Sequence, residues 1–273
     1  MSGIPEIGPG QSVELLKELH ILTRDGKLNQ DSRRKLKQVR HLCNFIQPLL
    51  DEILAQRDDL ALVDHGAGKS YLGFILYDLF LKDGERGRVY GIETRAELVE
   101  KSRDLALRLG FGRMTVLNLS VEESIGSPQL PERVDIVTAL HACDTATDDA
   151  IRFALHKQAP YVVLVPCCQA EVAAELRRRK SASLAQTPLA ELWRHPIQTR
   201  EFGSLATNVL RCLLLEAHGY QVTVTELVGW EHSMKNELIV ARRGGSPRGN
   251  ARERATHLLR ELGLTRLEAR FLY

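Results

Sequence analysis

The sequence predicts an α/β fold: a mostly parallel sheet whose last strand is antiparallel, with helices on both faces and helical extensions at both ends. From residue 60 onward, short runs rich in β-forming residues alternate with helical stretches, and those runs are apolar almost throughout. Strands of this character are typical of parallel sheets that helices cover on both faces. Closer to the C-terminus, "YQVTVTELV" and "NELIVARR" follow one another without an intervening helix, which predicts an antiparallel pair.

Length and composition fit one such domain with additions. The chain has 273 residues, of which 44% are hydrophobic, enough for a single α/β core. We divide it into an N-terminal helical extension at 1–57, the α/β domain at 58–242, and a linker with short C-terminal helices at 243–273. The extension contains predicted helices at 12–23 and 31–56, and the second has apolar residues every three or four positions.

Local signals refine the helices. Pro48 lacks an N–H, so it is expected to kink or divide the second helix. Asn250 with Glu253, and Thr265 with Glu268, each match an N-cap followed by an acidic residue at the third helical position, and they predict two short C-terminal helices. A polar loop is expected after the strand "MTVLNL". Four further helices are expected near 70–81, 95–109, 147–157 and 205–217.

Charge, apolar runs and cysteines exclude several classes of protein. The formal net charge of +2 does not by itself indicate a nucleic-acid binder. There is no run of about 18 apolar residues, so no membrane contact is expected, and the N-terminus shows no signal peptide. The cysteines are odd in number and lack framework spacing, which favours a reduced, cytoplasmic setting. They are Cys43, Cys143, Cys167, Cys168 and Cys212.

The stretch "LALVDHGAGKSYLG", residues 60–73, carries the strongest functional signal. A glycine followed by lysine and serine suggests a phosphate-binding P-loop, but that motif needs another glycine five residues before Gly68, where this chain has Val63. What remains is a strand followed by Asp64, two glycines and a helix. Such a loop allows a tight turn and a close approach of the backbone to a ligand.

A second acidic residue belongs to the same pattern. Glu93 closes the next strand, "VYGIE", where a carboxylate can accept hydrogen bonds from both hydroxyls of a ribose. Asp64 is poorly suited to a pyrophosphate but well suited to a ligand with a cationic amino group. An adenosine that carries an amino-acid tail therefore fits these two residues better than a nicotinamide dinucleotide does.

The stretch "VDHGAGKSYLG" together with "YGIE" resembles the cofactor-binding motifs of class I S-adenosylmethionine-dependent methyltransferases. The resemblance covers roughly residues 58–242 and implies a Rossmann-like methyltransferase sheet, with which the antiparallel last strand agrees. It also implies S-adenosyl-L-methionine as the cofactor and methyl transfer as the activity. The implied contacts are Asp64, Gly66, Ala67 and Gly68 around the methionine part, Glu93 on the ribose, and Ser120, Val121 and Glu122 beside the adenine.

Two further motifs resemble one branch of that superfamily. The stretches "ALHACDTATDDA" at 139–150 and "VPCCQ" at 165–169 follow consecutive strands, and they are similar to motifs of a branch that includes a eukaryotic tRNA ribose methyltransferase. The same residues partly match the zinc deaminase signature, but Cys143 replaces its glutamate and Ala170 its last cysteine. A different zinc site at His141 and the cysteines stays open, although we predict no metal.

The first of these motifs supplies the catalytic candidates. His141, Asp144 and Asp148 follow a strand at the edge of the sheet where ligands bind. His141 is a candidate general base or a group that orients the acceptor, although transfer from a sulfonium depends mainly on holding the nucleophile in line. Asp144 is the second candidate; alternatively, Asp144 or Thr145 caps the helix that follows.

Basic residues cluster outside the glycine motif. Residues 24–40 contain seven lysines and arginines against two aspartates, and residues 177–180 read "RRRK". Such runs are either solvated helix faces or surfaces that track phosphates. We interpret the protein as a methyltransferase that acts on RNA or on another macromolecule. The alternatives are a small-molecule methyltransferase, with the N-terminal helices as a lid, and a non-catalytic cofactor-binding module.

Overall fold

The computed structural model contains, within the residues that it describes, a sheet of seven strands between layers of helices. It describes residue 7 and residues 10–68, 71–140, 144–166, 169–179, 188–227, 237–245 and 249–273. The strands are β1 (Ala61–His65), β2 (Arg88–Glu93), β3 (Met114–Asn118), β4 (Ile136–Leu140), β5 (Tyr161–Val165), β6 (Tyr220–Glu226) and β7 (Glu237–Arg243). The α-helices are α1 (Val13–Glu18), α2 (Gln30–Gln56), α3 (Tyr71–Leu76), α4 (Ala96–Arg108), α5 (Val121–Gly126), α6 (Thr145–His156), α7 (Glu171–Arg179), α8 (Pro196–Ala217), α9 (Ala251–Glu261) and α10 (Glu268–Phe271). A π-helical turn (Tyr77–Leu81) extends α3, and short 3-10 helices cover Pro188–Trp193 and Thr265–Leu267.

The strands are arranged in the order β3–β2–β1–β4–β5–β7–β6; β7 runs antiparallel to both of its neighbours, and the other described strands all run in one direction. This confirms the predicted fold class, including the antiparallel last strand. The order of the strands along the chain reverses between β1 and β4. In open α/β sheets, ligands bind outside the carboxyl ends of the strands at such a reversal. The topology therefore points to a site beside the ends of β1 and β4.

The sheet separates two apolar layers. On one face, α1, α2, α3 and α4 pack against the strands, and residues such as Leu15, Leu42 and Phe74 are buried there. On the other face, α5, α6 and α8 cover the strands and bury residues such as Phe153 and Leu214. A third, smaller cluster joins α7, α8, α9 and α10. The N-terminal helices thus share a core with the sheet, and this fixes α2 beside the loop that follows β1.

The N-terminal helices differ in detail from the prediction. Ser12 caps α1 by accepting the N–H of Leu15 at 3.1 Å, and the helix ends early because His20 has a φ of 54°, outside the right-handed helical region. The expected break in α2 is wrong, because the helix continues through Pro48; a kink at Pro48 stays a prediction. Pro48 and Asn44, whose carbonyl loses the bond, are both exposed, so water can satisfy that carbonyl.

Three later elements also depart from the prediction. Helix α8 begins at Pro196, nine residues before the expected start. Two features explain this start: a proline in the first turn needs no N–H partner, and the side chain of Gln198 accepts the N–H of His195 at 3.3 Å. The expected polar loop after β3 is instead the short helix α5. The two C-terminal helices are confirmed, but Thr265 begins a 3-10 turn, and Asn250 forms no side-chain cap bond with described residues.

Gly203 marks a close crossing of α7 and α8. A Cβ at Gly203 would lie 2.8 Å from both the Cβ and the backbone nitrogen of Ala173. We expect Gly203→Ala to lower the free energy of unfolding by about 2 kcal/mol, because overpacking outweighs the roughly 1 kcal/mol that alanine gains in a helix. Urea unfolding measures the change. The matched control is Gly126→Ala in α5, where nothing lies within 4 Å; equal stability of both variants would contradict the close crossing.

Candidate active site

A cavity of about 420 Å³ lies at the reversal point of the sheet. Its volume is in the range of small-molecule binding sites. The loop after β1, one face of α2 and the start of α3 form most of its wall. Its lining residues are Lys35, Gln38, Val39, Leu42, Asp64, Gly66, Ala67, Gly68, Leu72, Ile75, Arg95, Leu140 and Leu227. The four residues expected around the methionine part of the cofactor thus line one cavity.

The loop after β1 owes its shape to its two glycines. Gly66 has a φ of 63° and Gly68 a φ of 57°, which L-residues with side chains rarely adopt. A Cβ at Gly68 would lie 3.7 Å from the nearest atom, so conformation rather than space requires glycine there. Between them, the N–H of Ala67 donates to the carbonyl of Ile92 at 2.9 Å, which ties the loop to β2.

Asp64 is held rigidly in the cavity wall. It is 2% exposed; the hydroxyl of Thr138 donates to its Oδ1 at 2.8 Å, and the N–H of Gly73 donates to its Oδ2 at 3.3 Å. Burial raises the pKa of Asp64 to about 6, and these two hydrogen bonds oppose the rise. Its carboxyl group therefore changes charge within the physiological range of pH.

Glu93 sits at the end of β2 and reaches the same loop. Its Oε2 accepts the N–H of Gly68 at 2.7 Å, and its Oε1 accepts the backbone N–H and the Nε of Arg95, each at 3.0 Å. Burial raises the pKa of Glu93, but the hydrogen bonds and the charge of Arg95, with the bond from Gly68, outweigh it and lower the pKa overall. Glu93 is therefore a fixed negative charge beside the glycine loop, bonded to the N–H of Gly68, and it is not itself among the described residues that line the cavity.

Asn118, which the sequence analysis missed, fixes the turn after β2. Its side-chain amide donates to the carbonyls of Glu93 at 2.9 Å and of Thr94 at 2.8 Å. Parallel pairing of β2 and β3 places Glu93 opposite Asn118. The sequence feature that could have predicted this contact is the polar residue at the end of the strand "MTVLN". Asn118 therefore sets where the Glu93 carboxylate stands.

The predicted adenine contacts are placed on α5, away from the cavity lining. Ser120 and Glu123 form a reciprocal cap: the Ser120 hydroxyl accepts the N–H of Glu123 at 3.3 Å, and the Glu123 carboxylate accepts the N–H of Ser120 at 2.7 Å. Of the described residues that line the cavity, none belongs to this segment. The assignment of Ser120, Val121 and Glu122 stays a prediction.

The catalytic candidates are only partly visible. His141 and the cysteines of both motifs lie outside the described residues. Asp144 has a φ of 50° and stands at the start of α6, but its Oδ1 accepts the N–H groups of Ala170 at 3.0 Å and Glu171 at 3.3 Å. Asp144 occupies the N-cap position of α6, as the alternative had it, but its side chain forms no cap bond there within the described residues; its carboxylate instead accepts N–H groups at the start of α7. Asp144 thus links the loops after β4 and β5.

His65 is a second residue that the sequence analysis missed. Side chains alternate along a strand, so His65 points to the sheet face opposite Asp64. It is 4% exposed, and its Nε2 has no hydrogen-bond partner in the described part of the chain. Its ring packs 5.3 Å from that of Phe153, and burial lowers the pKa of His65 to about 4. It is therefore a neutral group beneath the glycine loop.

The described residues contain neither a metal-binding cluster nor a membrane-spanning helix. No three histidine, cysteine, aspartate or glutamate side chains among them are grouped so as to hold a metal ion. Likewise, none of the helices in the described ranges is both long and apolar enough to cross a bilayer. The zinc alternative at His141 and its neighbouring cysteines concerns residues outside those ranges.

A family model described as a methyltransferase domain matches residues 34–175, slightly more than half of the chain. The chain belongs to this methyltransferase family. The matched range includes the glycine loop, Glu93 and Asp144, so the cavity walls and the linked loops of the methyltransferase fall largely within it. No curated protein sequence matches the methyltransferase.

Several solved structures resemble this methyltransferase at low identity. Magnesium protoporphyrin IX methyltransferase from Synechocystis PCC 6803, solved with bound SAH, is 14% identical, with a TM-score of 0.48 over 85% of this chain and 94% of that one. Precorrin-6y C5,15-methyltransferase from Geobacter metallireducens GS-15 is 19% identical, with a TM-score of 0.40 over 68% and 82%. An rRNA methylase from Streptococcus thermophilus is 10% identical, with a TM-score of 0.39 over 68% and 87%.

Proposed function

We propose that this methyltransferase transfers a methyl group from S-adenosylmethionine to a nucleophile on RNA. One observation carries the donor: carboxylates end two adjacent strands, with Asp64 in the cavity wall and Glu93 bonded to the N–H of Gly68 at 2.7 Å. S-adenosylmethionine joins a cationic amino-acid part to a ribose, and the two carboxylates suit these two parts. When bound, it supplies a methyl group carried on a sulfonium, whose sulfur leaves readily as a neutral thioether.

The residues present fit this donor. Asp64 forms no ion pair within the described part of the chain, so its charge is left for a cationic ligand. Glu93 can accept the two ribose hydroxyls once the guanidinium of Arg95 turns away, and that side chain is 59% exposed. Gly66 and Gly68 keep the loop free of side chains where the backbone meets the ligand.

The residues beyond β4 are assigned to the acceptor. His141 would accept the proton that the nucleophile loses on taking the methyl group, or that proton would pass to water. Asp144, whose carboxylate holds the start of α7, serves by fixing the loop rather than by taking the proton. In-line placement supplies most of the rate, so the chain needs no strong base.

Calorimetry with S-adenosylmethionine and S-adenosylhomocysteine tests the donor. Micromolar binding of either supports the proposal, and binding of neither overturns it. Cell extract labelled by the protein and a tritiated methyl donor, with and without ribonuclease, then tests the acceptor. Tight binding without transfer to any fraction would indicate a non-catalytic module instead.

A reduced cytoplasmic setting is part of the proposal, since Cys43 and Cys212 are free thiols.

An exposed stripe of three basic side chains on α2, formed by Arg33, Lys37 and Arg40, supports RNA as the acceptor. We expect binding of bulk RNA to weaken steeply as salt is added. Replacing all three residues with glutamate should lower the slope of log affinity against log salt by about 2 and leave binding of S-adenosylmethionine unchanged. Filter binding across a salt series measures the slope. Lys101→Glu on α4 is the control, and an unchanged slope in the triple variant would exclude the stripe.

A small-molecule acceptor is the second candidate, and the geometry of α2 favours it. At 100° per residue, Lys35, Gln38 and Leu42 share one helix face and line the cavity. The basic stripe lies about half a turn around the helix from that face, so RNA bound there would not enter the cavity directly. Methyl transfer that survives ribonuclease and enters a low-mass fraction would favour this candidate.

A further inference from the structure

A buried ion pair lies under the edge of the sheet that carries the site. Arg211 on α8 is 1% exposed and Asp148 on α6 is 5% exposed. The guanidinium donates to both carboxylate oxygens, from Nε to Oδ1 at 2.6 Å and from Nη2 to Oδ2 at 3.1 Å. Burying two charges is costly, and an apolar pair of similar volume is often as stable. Stability alone is therefore a weak reason for this pair.

The pair is the centre of a larger polar network. Nη2 of Arg211 also donates to the backbone carbonyl of Asp144 at 2.8 Å, and Nη1 donates to Oδ1 of Asn208 at 3.2 Å. The amide of Gln169 donates to the same Oδ1 at 3.1 Å, and the hydroxyl of Ser204 donates to Oε1 of Gln169 at 2.6 Å. Side chains of one helix, α8, thus hold residues from two separate loops.

These two loops are the ones that carry the unexplained motifs. Asp144 lies between β4 and α6, three residues after His141 in the sequence, and Gln169 follows the cysteine pair after β5. The carboxylate of Asp144 closes the network by binding the N–H of Ala170 at 3.0 Å. Asp148 is the final residue of "HACDTATD", so the network accounts for the acidic end of that motif. Both loops stand at the carboxyl edge of the sheet, where ligands bind.

We propose that Arg211 and Asp148 are positioning residues for methyl transfer, which hold the loops after β4 and β5 on the acceptor side of the cavity. The inference rests on the proposed function. Methyl transfer requires the nucleophile and the methyl carbon in line, and a displacement of about 1 Å from a distant change can lower a rate about 100-fold. Neither residue lines the donor cavity, so loss of the pair should slow transfer and spare donor binding.

A matched pair at the opposite edge of the sheet separates positioning from stability. Asp135, 1% exposed just before β4, forms an ion pair with Arg57 and accepts Nε of Arg133 at 3.3 Å and the N–H of Ala61 at 2.9 Å. Asp135 resembles Asp148 in its own burial and in pairing with an arginine, although Arg57 is 30% exposed; Asp135 lies at the other end of the strand from the site. Asp135→Asn should therefore lower stability without changing the rate of transfer.

The experiment compares Arg211→Lys, Asp148→Asn and the milder Ser204→Ala with Asp135→Asn and the wild type. Calorimetry measures the Kd for S-adenosylmethionine, and urea unfolding measures stability. The rate of methyl transfer is measured at saturating donor as tritium incorporated into the extract fraction that the wild type labels. We expect the first two variants to lose at least about tenfold in rate, Ser204→Ala to lose less, and the Kd to stay within about threefold. If Arg211→Lys does not fold, Asp148→Asn and Ser204→Ala decide.

Each other outcome overturns the inference. An unchanged rate in folded Arg211→Lys and Asp148→Asn would do so, and so would an equal loss in Asp135→Asn, because the rate would then follow stability. If the wild type binds no S-adenosylmethionine, the proposed function itself is wrong. That result is obtained before any variant is compared, so it is distinguishable from failure of the positioning inference. A wild type that binds the donor but labels no fraction has no transfer step to position.

Discussion

Replacing Glu93 with alanine should lower the affinity for S-adenosylmethionine about 100-fold or more, measured by calorimetry at neutral pH. Two charge-assisted hydrogen bonds to a ribose are each worth about 1.5–3 kcal/mol, and their loss alone accounts for this factor. The substitution also removes the acceptor for the N–H of Gly68, so the glycine loop loses its tie to β2 through this side chain. Glu93→Gln keeps the shape and one acceptor oxygen, and should lose only about tenfold.

The matched control is Glu97→Ala, which removes an exposed carboxylate in the first turn of α4. It should bind the donor like the wild type, because Glu97 is exposed and, unlike Glu93, accepts no hydrogen bond from the glycine loop. Loss of affinity in Glu93→Ala together with a normal urea midpoint would locate the effect in the site rather than in the fold. Unchanged affinity in both Glu93→Ala and Asp64→Ala would overturn the assignment of the donor site.

Local patterns predicted the sheet and the donor loop because both depend on residues close together in sequence. Apolar runs alternate with amphipathic stretches, and this alone predicts a parallel sheet. Asp64, Gly66 and Gly68 follow one strand and Glu93 ends the next, so parallel pairing of neighbouring strands brings them to one edge. The cavity lining on α2 was harder to foresee, because Lys35 and Gln38 reach it only through tertiary packing.

Contacts between distant residues were not predictable in the same way. Asp144 looked like a helix cap by its position before α6, but its carboxylate binds the start of α7, 26 residues later. Arg211 interrupts the apolar run "VLRCLLL" of α8, and only the fold brings it to Asp148, 63 residues away. Nothing in spacing or periodicity specifies such partners, since they are set by how α6 and α8 pack on the sheet.

Asp64→Asn should have opposite effects on donor binding and on stability. Burial raises the pKa of Asp64 from 3.8 to about 6, so the folded state binds this proton more tightly than the unfolded chain does. The stability that this proton contributes is fully present below pH 3.8 and is lost as the pH rises through about 6. At pH 8 the wild type holds a buried carboxylate with two hydrogen bonds but no ion pair within the described residues, and the asparagine variant holds no such charge.

We therefore expect Asp64→Asn to raise the free energy of unfolding by about 1–3 kcal/mol at pH 8 and to give no gain at pH 3.5, measured by urea unfolding at both values. The N–H of Gly73, which donates to Oδ2 at 3.3 Å, would face an amide in one orientation, which reduces the gain. Exposed Asp104→Asn is the control and should show no such dependence on pH. A variant less stable than the wild type at pH 8 would contradict the raised pKa.

The same variant should bind S-adenosylmethionine at least about tenfold more weakly, because a neutral amide replaces the charge that faces the cationic part of the ligand. In the wild type, affinity should fall as the pH drops below about 6, by up to about tenfold per pH unit, since the ligand competes with a proton at Asp64. Asp64→Asn should lose this dependence. Calorimetry from pH 5 to pH 8 distinguishes the two curves, and a wild-type affinity that is flat below pH 6 would mean that Asp64 does not meet the cation. A residue that lowers stability at neutral pH and strengthens binding there is what a preformed, charged ligand site requires.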